Sequence, residues 1–162
     1  MSSRWKKLLP LVCLALPFLL GNALPIRFFR QPGTPAALPN FLQPEAGCNW
    51  SGVGGQVFDL SGKPVVGVNI VLTGSLEGKQ HLEYALTGSS LALGPGGFQF
   101  KLADHLVSSQ GALYLQVKDL NGFFLSPPIP FDTYLSCDKN FVLVNFVEVS
   151  PVYQYYYPLI NK

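Results

Sequence analysis

The stretch GGQVFDLSGKPVVGVNIVL, residues 54–72, decides the fold. Its second half, VVGVNIVL, sets Val66, Val68, Ile70 and Leu72 at every other position, the spacing that puts side chains on one face of a strand. Between the halves lies DLSG. An Asp that accepts backbone amides, followed by a Gly that adopts positive φ, closes a tight turn. The stretch therefore reads as strand, turn, strand.

The same grammar continues outward. QHLEYALT sets Leu82, Tyr84 and Leu86 on one face, and GFQFKL sets Phe98, Phe100 and Leu102 opposite Gln99 and Lys101. ALYLQVKD sets Leu113, Leu115 and Val117 opposite Tyr114, Gln116 and Lys118. NFVLVNFVEV is apolar on both faces, which predicts a central or covered strand. With VGGQVFD and FFLSPPIPF added, about seven strands at roughly 8–15-residue spacing predict an all-β, antiparallel-dominated β-sandwich. KLADHLVSSQ reads as a turn of helix or a loop. VKDLNG at 117–122 echoes VFDLSG at 57–62, which predicts two equivalent turns. Shared calcium ligation is the weaker explanation, since hard cations need several clustered oxygens.

The ends of the chain differ in kind. MSSRWKK followed by the apolar run Leu8–Leu20 and small residues at Gly21 and Ala23 is the layout of a secretory signal peptide over residues 1–23. A retained N-terminal anchor reaching to Ile26 is the competing reading, and either one exports the rest. A lipoprotein is disfavoured because Val12 before Cys13 is too large. Residues 24–47, with five prolines, read as a Pro-rich linker, residues 48–148 as the domain, and 149–162 as a Tyr/Pro-rich tail. That tail carries Tyr153, Tyr155, Tyr156 and Tyr157, which either pack on the domain or meet a partner.

The formal charge of +2 conceals an asymmetry. Between Cys48 and Glu148, five lysines face eight carboxylates, a body at −3 with no arginine. Nucleic-acid binding needs a basic footprint, and this body has none.

The run from 54 to 72 resembles the first hairpin of carboxypeptidase regulatory-like domains, the transthyretin-like β-sandwich modules. Their opening G-x-V-x-D-x-x-G-x-P-V-x-G-V-x-(I/V) is matched by Gly55, Val57, Asp59, Gly62, Pro64, Val65, Gly67, Val68 and Ile70. GPGGFQFKL resembles the D-G-x-F strand start of that family, with Gly96 in place of the acid. The body is also similar to exported single-module proteins of Chloroflexi-type bacteria, which carry a C-N-W-x-G-V-x-G-Q-V-F-D start and a C-x-K-N…V-N-F end. The resemblance implies a transthyretin-like, Ig-like Greek key sandwich whose first and last strands pair in parallel. It implies an accessory or binding module and no peptidase activity.

That arrangement puts Cys48 and Cys137, each just ahead of one of those strands, at one end of the sandwich. In an exported domain it implies a disulfide between them; free thiols and an intermolecular bridge are the alternatives. Trp50 then has two readings, an apolar lid on the bridge or a stacking face for a sugar. A thiol nucleophile needs a base, and His81 and His105 sit in no catalytic motif. No C-x₂-C or H-x₃-H pair supports zinc, and the Tyr and His residues match no iron-ligand pattern. The transthyretin-like urate-pathway hydrolase needs an arginine, which the body from 48 to 148 lacks, and a terminal Tyr-Arg-Gly-Ser run, which this sequence does not carry. Asn49-Trp50-Ser51 is formally a glycosylation sequon, accidental in a bacterial chain. The expectation is an exported, non-enzymatic module without cofactor or metal, secreted or held at the cell surface, with a structural or binding role. Its candidate partners are an envelope protein or polysaccharide, reached through Trp50 or the tyrosine tail. It meets a membrane only if the N-terminal segment is retained.

Overall fold

The computed structural model describes residues 26–150. Ten strands run in chain order: β1 Phe28–Arg30, β2 Ala36–Leu38, β3 Ser51–Phe58, β4 Asn69–Leu76, β5 Lys79–Leu86, β6 Gly97–Ala103, β7 Ser109–Lys118, β8 Ile129–Thr133, β9 Phe141–Leu143 and β10 Phe146–Glu148. One sheet has the order β5-β4-β7-β8 and is antiparallel throughout. The other is mixed. There β6 pairs antiparallel with β3, and β3 pairs in parallel with both β9 and β10. The far edges of β9 and β10 take β2 and β1, antiparallel.

Between the sheets lies one apolar core. Val53 and Val57 of β3, Ile70 and Leu72 of β4, Phe98 of β6, Leu113, Leu115 and Val117 of β7, and Phe146 of β10 are fully buried in it. Alternation explains the pattern, since residues i and i+2 share a face and both sheets turn their apolar faces inward. The sandwich expected from the sequence is the fold observed, including the parallel pairing of the body's first and last strands.

Four local expectations are corrected. The Pro-rich stretch does not lie outside the fold, because it supplies β1 and β2 to the mixed sheet. Each of those strands is only three residues long and sits between prolines, and short edge strands tolerate proline at their borders. NFVLVNFVEV is one course along β3 but is interrupted at Val144–Asn145, so it forms two strands. Val66 does not join the core face with Ile70 and Leu72; it precedes β4 and is exposed. Finally, the apolar face of β5 points outward. KLADHLVSSQ resolves as the end of β6, a loop and the start of β7.

The echoed turns are identical in construction. Asp59 Oδ1 accepts the amides of Ser61 and Lys63, and Asp119 Oδ1 accepts those of Asn121 and Phe123. Gly62 N–H donates to the Asp59 carbonyl and Gly122 N–H to that of Asp119, with both glycines at positive φ. The Ser61 hydroxyl, followed by the Lys63 amide, holds the Asp59 carboxyl below its ordinary range.

Candidate functional site

Cys48 and Cys137 form a disulfide, with Cα atoms 5.0 Å apart. The parallel pairing of β3 with β9 brings them together, since Gly52 is in register with Phe141 a few residues beyond each cysteine. Around the bridge the chain is held by one buried amide. Asn140 Oδ1 accepts the Asn40 amide at 2.8 Å, while its Nδ2 donates to the carbonyls of Gly47 at 2.8 Å and Trp50 at 3.0 Å. Asn145 does the same work at the β9–β10 break, accepting from the Gln56 amide and donating to Gln31 Oε1. Asn140 opens the apolar run Phe141–Val144 and Asn145 interrupts it, and an amide bordering or inside such a run is a signal of a polar clamp. Their role went unread in the sequence.

Trp50 is 1% exposed. It stacks on Phe141, with ring centroids 6.1 Å apart, in a small second core with Leu93, against Leu38 of β2 and Leu42 and Ala46 of the segment that follows it. Its ring occupies the space beside Gly52, where an added Cβ would come within 2.1 Å of a ring carbon. Trp50 therefore presents no face to a sugar, and the expectation of a ligand contact there is overturned. Burial of the ring by a strand glycine and the N-terminal loop is the reason. Tyr153, Tyr155, Tyr156 and Tyr157 lie outside the described residues.

The exposed apolar surface is elsewhere. On β5 the stripe Leu82, Tyr84 and Leu86 is 48–65% exposed, while His81 is buried on the inner face. Across β4 the register sets Leu82 against Thr73, Tyr84 against Val71, and Leu86 against Asn69. One strand further, Thr73, Val71 and Asn69 face Tyr114, Gln116 and Lys118. The outward face thus mixes two phenol rings and aliphatic side chains with hydroxyl and amide groups. Lys118 Nζ lies 4.2 Å from the Phe124 ring centroid and 5.9 Å from that of Tyr84, linking the rings at one end of the patch. Val71 faces outward yet is almost fully covered by this layer.

The two histidines line one cleft of about 300 Å³ with Glu77, Lys79 and Asp104. They act in separate pairs, His81 Nδ1 with Glu83 at 2.7 Å and His105 Nε2 with Glu77 at 3.0 Å. Among the described residues, no three His, Cys, Asp or Glu side chains converge as metal ligands.

These features define an all-β sandwich fastened by a disulfide. No protein-family model matches the sequence, and no curated protein matches it significantly. Among solved structures, the chain is similar to the dioxygenase domain of a dioxygenase–carbohydrate-binding protein fusion from the cellulolytic bacterium Streptomyces sp. SirexAA-E. The identity is 13% and the TM-score 0.37, over 72% of this chain and 83% of that one.

Proposed function

We propose that the protein is an extracytoplasmic, non-enzymatic β-sandwich module of the cell envelope. Its binding surface is the outward face of the β5-β4-β7-β8 sheet, and its partner is an envelope polysaccharide. The Cys48–Cys137 bridge supports the compartment, because disulfides persist where thiols are not kept reduced. The leading segment is then the export signal or anchor.

One observation carries the binding role: β5 turns its apolar side to solvent and its histidine inward. A contiguous exposed apolar surface on a folded domain marks an interaction site. The chemistry of this one suits a sugar chain. Ring faces of Tyr84 and Tyr114 cover C–H surfaces, while Asn69, Thr73, Gln116 and the phenol hydroxyls meet hydroxyl groups.

The test is co-sedimentation of the full chain with purified peptidoglycan and with insoluble β-glucans. Retention should fall about tenfold in Tyr84→Ala and Tyr114→Ala, roughly 1.4 kcal/mol per stacked ring. Trp50→Phe should bind like the parent. Equal retention of all three variants, or no retention of the parent, would refute the reading.

A further inference from the structure

Both ends of the described chain leave the sandwich side by side, and at the same pole as the twin turns. The hydrogen bonds make this explicit. Val149 N–H donates to the Arg27 carbonyl, and the amides of Arg27 and Phe28 both donate to the Leu125 carbonyl, just beyond the second turn. Arg27 also pairs with Glu148. The first turn is equally close. Because β10 runs parallel to β3, Phe58 is in register with Val147, and a cleft of about 360 Å³ there is lined by Leu60, Gly62 and Glu148.

At this pole the twin turns hold matching leucines out to solvent. Leu60 is 63% exposed and Leu120 75%. Neither side chain is required by its turn, which is closed by the Asp and the Gly on either side. The turn carboxylates face inward on their own loop amides, so they do not mask the leucines. Phe123, next to Leu120 in the second turn, is exposed as well.

The N-terminal apolar run meets this pole with almost no spacer. Leu8–Leu20 is followed by only seven residues before β1 starts at Phe28. Seven residues span at most ~25 Å fully extended, and the last of them are already bonded to the domain. An apolar segment held in a bilayer would therefore hold this pole against the same bilayer.

We propose that the pole bearing Leu60, Leu120 and Phe123 is a membrane-apposed surface, seated on the lipid that retains the N-terminal segment. The apolar tips enter the headgroup–acyl boundary, and Arg27 and Lys63 lie at headgroup level, where cations meet anionic lipid. The polysaccharide face lies on the side of the sandwich, free of the membrane. The proposal rests on the segment being an anchor and stands independently of the sugar reading.

The experiment uses the full chain with Trp5→Phe, reconstituted in phosphatidylethanolamine–phosphatidylglycerol vesicles with and without dibrominated acyl chains. Leu60→Trp and Leu120→Trp report on the pole. Leu135→Trp, exposed at the opposite end beyond β8, is the control, and buried Trp50 gives a common background. Circular dichroism melts confirm that each variant is folded. Bromolipid should quench the indoles at 60 and 120 roughly twofold more than the one at 135, because only side chains at the acyl boundary reach the bromines.

Equal quenching at all three positions would overturn the proposal. Blue-shifted emission at 60 and 120 without quenching would also overturn it. That result would assign the tips to a second copy if it depends on concentration, or to residues 151–162 if it does not. An exported chain that starts after Ala23 and fails to float with these vesicles would overturn it as well. None of these results bears on polysaccharide co-sedimentation, so the two readings fail separately.

Discussion

The two sheets each have an outer face, and the sequence treats them oppositely. On the mixed sheet, β3 presents glycines outward at Gly52 and Gly54, and the space is filled by Trp50, Leu93 and the N-terminal loop. On the antiparallel sheet, β5 presents Leu82, Tyr84 and Leu86 outward, and they stay 48–65% exposed, with the Lys118 ammonium over the Tyr84 ring. A face covered by its own chain stabilises the domain. A face of the same apolar character left open is available to a partner, and losing one of its side chains costs the fold little.

Trp50→Ala breaks the covered face and should have the largest effect. Truncating a fully buried ring to Ala costs about 3–5 kcal/mol, read as a shift of the urea midpoint at constant slope. The disulfide ranks next. It joins residues 89 positions apart, and chain-entropy reasoning assigns such a loop at most about 4.6 kcal/mol, a bound from which native strain and residual structure in the unfolded chain subtract. Cys48→Ser with Cys137→Ser should lower the melting temperature accordingly, and intact mass should show no alkylated thiol at either position in the unreduced parent. If two thiols react without reductant, the fastening account is wrong.

The twin turns give a smaller, pH-linked effect. The folded-state pKa of Asp59 is lowered, so its contribution is complete above the unfolded carboxylate value and disappears as pH falls through the folded value. Asp59→Asn should lower the neutral plateau of a melting-temperature profile and flatten the acid limb below about pH 4, where the two proteins converge. A variant whose acid limb matches the parent would show that the turn carboxylate does not couple to folding. Smallest of all, Leu82→Gln and Tyr84→Ala should change stability by no more than about 0.5 kcal/mol, because their side chains are mostly solvated already. A loss near that of Trp50→Ala would mean the open face is covered after all, and the contrast between the sheets would collapse.

How far the sequence could be read depended on whether a signal was local. Asp59 and Gly62, like Asp119 and Gly122, close their turns within five residues, so the echo was legible at once. Period-two alternation likewise located the body strands, and the transthyretin-like resemblance brought Cys48 and Cys137 to one end. The direction in which β5 faces was not legible. Alternation tells which residues share a face but not which face meets the core, and on an edge strand the inward side opens to a cleft where His81 fits. The stretch before Cys48 misled for a related reason. Its strands β1 and β2 are three residues long, too short for periodicity, and are created only by the free edges of β9 and β10.

The candidate surface divides the same way. Its aromatic residues could be named from composition, yet Trp50 proved to be covered and Tyr84 and Tyr114 open, because exposure depends on what the rest of the chain lays across each sheet. By itself the sequence determined the all-β class, the turns and the residues that share each strand face, since these follow from backbone sterics and spacing within a few positions. Only the tertiary structure decided which apolar face was buried, that residues 28–38 complete a sheet, and that both ends of the described segment lie at the pole of Leu60 and Leu120. Those outcomes depend on contacts between residues about 90 to 120 positions apart, such as Asn140 with Gly47 and Trp50, and Val149 with Arg27. No local pattern encodes that geometry.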